Sequence, residues 1–166
     1  MKQVNTKEFV EYTQQVVKNA QHLANRLQEK GYKIVTKGTD NHIVWVDLRT
    51  VGLTGSKADK VLENISIACN KNTVPGDTNA LNPGGIRLGT PALTTRGLKD
   101  KDIEQVVEYL DRALKIAIQA KDETKGRLLK DFVITLNQPK YQEQMNKLKE
   151  EVENYAENFF MPGYEL

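Results

Sequence analysis

The first thirty residues place apolar side chains with the period of an α-helix. From about Thr6 to Lys30 an apolar residue recurs every three or four positions, which puts these side chains on one face of a helix. Gly31 stands where a glycine often ends a helix in the left-handed conformation. The pattern therefore predicts one long amphipathic helix, whose apolar stripe is Phe9, Tyr12, Val16, Ala20, Leu23 and Leu27.

After Gly31 the pattern changes to short runs rich in β-branched and aromatic residues. Residues 32–36 and 43–48 are two such runs, and the turn-forming residues between them favour antiparallel pairing. The second run is apolar on both faces, so it is predicted to be central in the sheet. Residues 66–69 are predicted to be extended, and residues 86–88 to form a third strand after two proline turns.

Helical periodicity returns in four further segments. A short helix is predicted after Thr54, a good N-cap residue, and a longer one begins at Asp100 or Asp102. Residues 124–136 are predicted to form another helix, and Pro139 to start the last one. The apolar stripe of this last helix indicates packing against a core rather than a free coiled coil. Together these elements predict an α+β fold with a small, mainly antiparallel, three-stranded sheet covered by helices.

Composition and charge narrow the classes of function. The chain has 166 residues, enough for one domain, and its 24 Lys and Arg against 22 Asp and Glu give a net charge of +2. This balance lacks the clustered basic surface of nucleic-acid-binding proteins, so no nucleic-acid partner is predicted. No run approaches the roughly 20 apolar residues of a membrane span. Cys69 is the single cysteine, which excludes an internal disulfide, fits a reducing compartment and predicts a small buried side chain.

The segment from Asn70 to Gly97 is the candidate functional region. It is rich in Gly, Pro, Thr and Asn, and it has few apolar side chains to offset the roughly 1–2 kcal/mol that ordering each residue costs. Arg87 lies in this segment between two glycines that would let a ligand approach the backbone. Because a guanidinium presents two parallel donors, Arg87 is predicted to bind a carboxylate. An ion pair with a nearby side chain such as Asp77 is the structural alternative.

Other polar residues of this segment carry weaker signals. Asn72, Thr73 and Asn82 offer amide and hydroxyl groups that either bind a heterocycle or cap turns. Residues 84–91 resemble a phosphate-binding loop in composition, but the Lys-Ser/Thr pair of a Walker motif is missing. Residues 94–96 are predicted to form a short helical turn packed below Arg87.

The histidines do not indicate a metal site. His22 and His42 are far apart in the sequence, and neither a CxxC nor an HExxH motif is present. His22 lies beside the apolar stripe of the first helix, where a solvent-edge position is expected. His42 lies in a turn, where it either faces a functional cleft or is simply exposed.

Several sequence blocks carry a specific resemblance to one enzyme family. Residues 71–77 read K-N-T-V-P-G-D, and residues 83–97 read P-G-G-I-R-L-G-T-P-A-L-T-T-R-G. Further blocks at residues 38–42, 46–49 and 52–55 follow in the order and spacing of that family. The whole chain resembles the C-terminal part of serine hydroxymethyltransferase, also called glycine hydroxymethyltransferase, in its eukaryotic branch.

This resemblance implies an enzyme that interconverts serine and glycine with pyridoxal phosphate (PLP) and passes the side-chain carbon to tetrahydrofolate, forming methylenetetrahydrofolate. It implies that Arg87 binds the amino-acid carboxylate and that Asn72 contacts the folate pterin. Nothing in this chain resembles the family's T-T-T-T-H-K-T-L-R-G block with the Schiff-base lysine, and Lys37 does not align with a family lysine. We therefore expect the catalytic residues and the PLP-binding residues to lie outside this chain, which should be inactive by itself.

The resemblance also implies a division of the chain and a set of partners. Residues 1–30 would join a large PLP-binding domain, absent here, to a small α+β domain formed by residues 31–166, as in fold-type I PLP-dependent transferases. The full-length enzyme is expected to be a homo-oligomer in the cytoplasm or in mitochondria. Two alternatives stay open: a non-catalytic module that binds a partner protein through the first helix, and an isolated domain that still binds amino acid or folate.

Overall fold

The long N-terminal helix predicted from the sequence is confirmed. A computed structural model describes residues 2–164, in which helix α1 spans Lys7–Glu29 after a 3₁₀ turn over Lys2–Asn5. The side chain of Thr6 caps α1 by accepting a hydrogen bond from the backbone N–H of Phe9. Gly31 follows the helix with φ of 91°, a left-handed conformation that a side chain would disfavour.

The sheet is antiparallel, as predicted, but it has four strands rather than three. Strands β1 (Lys33–Ile34), β2 (Ile43–Asp47), β3 (Asn70–Asn72) and β4 (Gly85–Gly89) are arranged in the order β1-β2-β4-β3. The additional strand, β3, lies at the edge and consists of Asn, Lys and Asn, so no apolar alternation reveals it in the sequence. The extended run predicted at residues 66–69 is wrong at Ser66, which lies in a turn with φ of 62°, and residues 67–69 lead into β3 without belonging to a strand.

Five further helices complete the α+β fold. These are α2 (Gly55–Asn64), α3 (Pro91–Thr95), α4 (Asp100–Glu123), α5 (Leu129–Leu136) and α6 (Pro139–Glu157). Helix α5 begins later than the predicted residue 124, because Thr124 is extended and the Asp131 carboxylate accepts a hydrogen bond from the Leu128 N–H to start the helix there. The other predicted starts, at Thr54, Asp100 and Pro139, are confirmed.

Only one face of the sheet contributes to the hydrophobic core. Side chains of β2 and β4 alternate, so Val44 and Val46 on one strand and Ile86 and Leu88 on the other are buried together. Helix α1 packs against β1 and β2, helix α2 packs against β3 and β4, and α4 packs against both helices. The predicted core stripe of α6 is confirmed: its buried residues are Tyr141, Met145, Leu148 and Val152.

Buried polar groups join α1 to the segment that follows β4. Asn19 is fully buried, and its side-chain amide donates to the carbonyl of Leu98 and the hydroxyl of Thr94, both at 2.9 Å. The buried Thr90 hydroxyl donates to the carbonyl of Val16 at 2.8 Å. Because buried polar groups need such partners, these bonds determine how β4 and α3 lie against α1.

An ion pair closes the end of β2. Arg49 donates from Nε and Nη2 to the two carboxylate oxygens of Asp47, each at 2.9 Å, and Lys33 Nζ lies 3.2 Å from the same carboxylate. The Asp47 side chain is only 3 % exposed. The hydrogen bonds from Arg49 lower the pKa of Asp47 to about 2.

The depressed pKa predicts how stability depends on pH. A carboxyl group with a folded-state pKa below its unfolded value stabilises the fold above the unfolded pKa, and this contribution disappears as the pH falls towards about 2. We expect Asp47→Asn to lower the free energy of unfolding by about 2 kcal/mol near neutral pH, and by progressively less below about pH 4. Urea unfolding at a series of pH values measures this.

Asp122→Asn, at a carboxylate that is 61 % exposed, is the matched control and should change stability by less than about 0.5 kcal/mol throughout. A difference between the Asp47 variant and the wild-type chain that stayed constant down to pH 2 would contradict the proposed electrostatic contribution.

Candidate functional site

The face of the sheet turned away from the core carries a cleft of about 640 Å³. Its lining consists of the turn at residues 36–41 together with Ile43, Trp45, Asn72 and Arg87. The two residues predicted to contact ligands, Arg87 and Asn72, therefore line the same cleft although they come from different strands. The cleft has a charged residue from β4, an amide from β3 and an indole from β2.

Arg87 occupies the middle of β4 and points away from the core. Its neighbours across the sheet are Trp45 on β2 and Asn70 on β3, and its side chain is exposed. Nη2 lies 3.4 Å from Oδ1 of Asn70, a long hydrogen bond. Among residues 2–164 Arg87 forms no ion pair. Asp77, the alternative partner considered from the sequence, pairs with Arg49 instead. The guanidinium therefore keeps donors for an anionic ligand.

Asn72 ends β3 opposite Gly85 and is half-buried. Its side-chain nitrogen donates to the carbonyl of Thr73 at 2.9 Å, while its side-chain oxygen receives no hydrogen bond from the described part of the chain. This oxygen is thus available as an acceptor. Thr73 and Asn82, the other polar candidates, are exposed and do not line the cleft.

Trp45 is a cleft residue that the sequence interpretation assigned only to a central strand. The central position of β2 is confirmed, since it lies between β1 and β4. Trp45 is directly opposite Arg87, and its indole N–H is buried without a hydrogen-bond partner among the described residues. The available signal was its position: Trp45 alternates with the buried Val44 and Val46 and so must face the same side as Arg87.

The turn at residues 36–41 forms one wall of the cleft and is held by its own side chains. The Thr39 hydroxyl donates to the carbonyl of Ile43 at 2.7 Å, and Asn41 Oδ1 accepts from the N–H of Ile43 at 2.8 Å. Lys37 and Asp40 bring opposite charges to this wall. Thr39 and Asn41 thus stabilise the turn itself, a common role of such polar residues in loops.

Neither histidine lines the cleft. His42 is exposed, and its backbone carbonyl accepts from the Thr90 N–H at 3.2 Å. His22 lies at the solvent edge of α1, as predicted, where Nε2 is 2.7 Å from the carboxylate of Glu104 on α4. His22 therefore links α1 to α4, and His42 is not part of the site.

The long connection from β3 to β4 is closed by Asp77. One of its oxygens accepts hydrogen bonds from the backbone N–H groups of Val74 (2.9 Å) and Gly84 (2.7 Å). These two backbone hydrogen bonds lower the pKa of the Asp77 carboxyl group, and the bond from Gly84 has the larger effect. Gly84 has no room for a side chain, since a Cβ there would lie 2.7 Å from Cδ of Arg49. Packing and hydrogen bonding thus explain the P-G-D and P-G-G motifs.

The predicted helical turn at residues 94–96 is confirmed as the end of α3, with Arg96 as its C-cap residue, and its polar side chains stabilise the fold. Thr94 bonds to Asn19, and the Arg96 guanidinium donates to the carbonyls of Ala156, Phe159 and Phe160 at the end of α6. Such bonds satisfy carbonyl groups that a helix terminus leaves without partners. None of these side chains lines the cleft.

Cys69 is half-buried and packs against the core, close to the buried position predicted for it. Burial raises the pKa of its thiol to about 12, so it is protonated at neutral pH. Across residues 2–164, no group of three or more His, Cys, Asp or Glu residues is arranged to hold a metal ion. Within the same range, every helix is too short or too polar to cross a bilayer.

Comparisons with known proteins identify the family. A model of the serine hydroxymethyltransferase family matches residues 1–110. The chain is 55% identical over 166 residues to a serine hydroxymethyltransferase of Bombyx mori, with 99% of this chain and 36% of that protein aligned. It is 50% identical to the cytosolic enzyme of Oryctolagus cuniculus, with 98% of this chain and 34% of the relative aligned.

A chloroplastic serine hydroxymethyltransferase of Arabidopsis thaliana is 44% identical, and the alignment covers 98% of this chain and 31% of the relative. The chain thus spans about a third of the length of the curated relatives it matches, and the matched part is their C-terminal portion. Identity of 44% to 55% across nearly the whole chain indicates common descent with these enzymes. The chain belongs to the serine hydroxymethyltransferase family.

Proposed function

We propose that the cleft is one wall of the active site of a PLP-dependent serine hydroxymethyltransferase, and that Arg87 binds the carboxylate of serine or glycine there. The observation that carries this proposal is the exposed guanidinium of Arg87, which forms no ion pair within residues 2–164 and shares the uncovered face of the sheet with Asn72. Membership of the family supports the reaction class.

The chemistry of Arg87 suits this role. A guanidinium donates two parallel hydrogen bonds to a carboxylate, and charge-assisted bonds of this kind contribute about 1.5–3 kcal/mol each. Because Arg87 extends from the middle of a paired strand, its backbone is rigid and the substrate would be held in one orientation. Trp45, beside it, offers an apolar surface to the cleft.

Asn72 is proposed to contact the pterin ring of tetrahydrofolate. Its side-chain oxygen is an unused acceptor at the edge of the cleft that Arg87 also lines. A pterin ring presents N–H donors and nitrogen acceptors along one edge, which an amide can match. Amino acid and folate would thus bind side by side, as transfer of a carbon unit between them requires.

The cleft fits a carboxylate better than it fits PLP. Among its described lining residues, Lys37 is the one lysine, and it is exposed on the turn that forms the wall. When bound, PLP supplies the electron sink for bond cleavage at the amino-acid α-carbon. We propose that the Schiff-base lysine and the remaining PLP-binding residues belong to a large domain outside this chain, and that the isolated chain is inactive.

The first turns of α1 support the proposed connection to such a domain. Val4, in the 3₁₀ turn before α1, and Val10, within α1, are 52% and 45% exposed, whereas the first buried residue of α1 is Val16. We propose that residues 1–30 join the large domain to residues 31–166 and that the exposed apolar side chains pack against it. Homo-oligomer formation and a cytoplasmic or mitochondrial location stay predictions.

Substitution of Arg87 tests the proposed function in the full-length enzyme. Arg87→Lys should raise the KM for serine about tenfold or more, because lysine cannot reproduce the bidentate fork, and it should leave the absorbance of bound PLP unchanged. Arg127→Lys, at an exposed position between α4 and α5, is the matched control. A KM for serine that stayed unchanged in Arg87→Lys would rule out the carboxylate role.

A second substitution tests the folate contact. Asn72→Ala should weaken the binding of a reduced folate about tenfold, the cost of one unsatisfied polar contact, while serine binding changes little. Fluorescence titration of the full-length enzyme measures both affinities. Asn82→Ala, on the same connection but outside the cleft, serves as the control and should change neither. Equal folate affinity in Asn72→Ala and the wild-type enzyme would refute the assignment.

A further inference from the structure

Side-chain hydrogen bonds close the connection between β3 and β4 at both ends. One carboxylate oxygen of Asp77 accepts from Val74, two residues after Asn72, and from Gly84, three residues before Arg87. The loop over residues 73–84 therefore leaves β3 and enters β4 at points joined by a single side chain. The junction therefore restrains the loop directly beside the last pair of the two strands, Asn72 opposite Gly85.

Arg49 connects the same junction to the central strand β2. While Nε and Nη2 pair with Asp47, Nη1 lies 3.3 Å from Asp77 Oδ1 and Nη2 donates to the carbonyl of Pro75 at 3.0 Å. Backbone bonds from Leu48 to Gly84 and from Gly55 to Pro83, at 2.9 and 2.7 Å, reinforce the contact. Arg49 thus joins the end of β2 to the first half of the loop, and the backbone N–H groups of Leu48 and Gly55 hold its second end.

The edge strand β3 needs this support. It pairs with β4 over only three residues, from Asn70 opposite Arg87 to Asn72 opposite Gly85, and its side chains are polar. A short polar edge strand has little apolar burial of its own to hold it in place. Without Asp77, the loop would regain conformational entropy, and Asn72 and the Asn70 contact to Arg87 would lose their fixed positions.

The charges of the cluster are consistent with a positioning role. Lys33 and Arg49 balance Asp47 and Asp77, and the Arg49 guanidinium is engaged by two carboxylates and a carbonyl. Arg49 is therefore not free to bind a substrate carboxylate, in contrast to Arg87. A nearby cation that is already neutralised does not compete with Arg87 for the ligand.

We propose that Asp77 and Arg49 are positioning residues for the substrate site: they hold Arg87 and Asn72 at the spacing that amino acid and folate require. This inference rests on the proposed function of Arg87 and Asn72. It assigns the P-G-D motif to substrate affinity rather than to catalysis itself. Because both ligand contacts share one support, loss of Asp77 should weaken both ligands together.

The test is a set of variants of the full-length enzyme. Asp77→Ala should raise the KM for serine and for tetrahydrofolate each about tenfold, with kcat within about threefold of wild type, since displacements near 1 Å are sufficient for such losses. Glu151→Ala is the matched control: Glu151 accepts two hydrogen bonds from Arg112 between α4 and α6, away from the cleft. It should leave both KM values unchanged.

A double-mutant cycle with Arg87→Lys separates the inference from the proposed function. If Asp77 acts through Arg87, the serine KM of the double variant should equal that of Arg87→Lys within about twofold. Additive effects, an unchanged KM in Asp77→Ala, or an equal rise in Glu151→Ala would each overturn the positioning role while Arg87→Lys still showed its own effect. An Arg87→Lys variant without effect would overturn both proposals. If Asp77→Ala does not fold, Asp77→Asn, which keeps the shape but not the charge, is measured against the same criteria.

Discussion

The register of β4 against β2 is the constraint on which the rest of the structure depends. Successive side chains of a strand point to opposite faces, so pairing Trp45 with Arg87 puts Ile86 and Leu88 into the core and Arg87 outside it. A shift of one residue would bury the guanidinium and expose two apolar side chains. Burial of each apolar side chain contributes roughly 1.5–3 kcal/mol, so the hydrophobic core itself holds Arg87 on the open face.

The glycine- and proline-rich segment then acquires a physical explanation beyond ligand binding. Its few apolar residues do not by themselves offset the entropy of ordering, and Asp77 and Arg49 add charge-assisted hydrogen bonds that stabilise the ordered loop. After β4, hydrogen bonds from Thr90 to Val16 and from Asn19 to Leu98 hold the chain against α1. The strand that carries Arg87 is thus fixed by polar bonds at both ends and by apolar burial in the middle.

Periodic apolar patterns were sufficient to predict most of the fold. Helices α1, α2, α4 and α6 and the two central strands follow directly from spacing and caps, as Thr6 and Thr54 illustrate. The apolar pattern does not predict strand β3, because its residues are polar and only their pairing with β4 makes the segment a strand. The later start of α5 depends on a capping contact at Asp131, and no periodicity reports such a contact.

The candidate site was predictable in part. Arg87 and Asn72 were singled out from residue type and family resemblance, and the structure brings them to one cleft. Trp45 was not assigned to it, because a tryptophan within an apolar strand usually indicates core. The positioning role proposed for Asp77 and Arg49 depends on a contact between residues 28 positions apart, which the sequence alone does not specify.

In the proposed function, this chain supplies the carboxylate-binding wall of a site whose PLP lies on another part of the enzyme. A crystal structure of the full-length enzyme with PLP and glycine tests it most directly. We expect two hydrogen bonds of about 2.8 Å between the Arg87 guanidinium and the glycine carboxylate, with PLP joined in the glycine-free enzyme to a lysine outside these 166 residues. A carboxylate held by other side chains while Arg87 faced solvent, or PLP joined to Lys37, would contradict it.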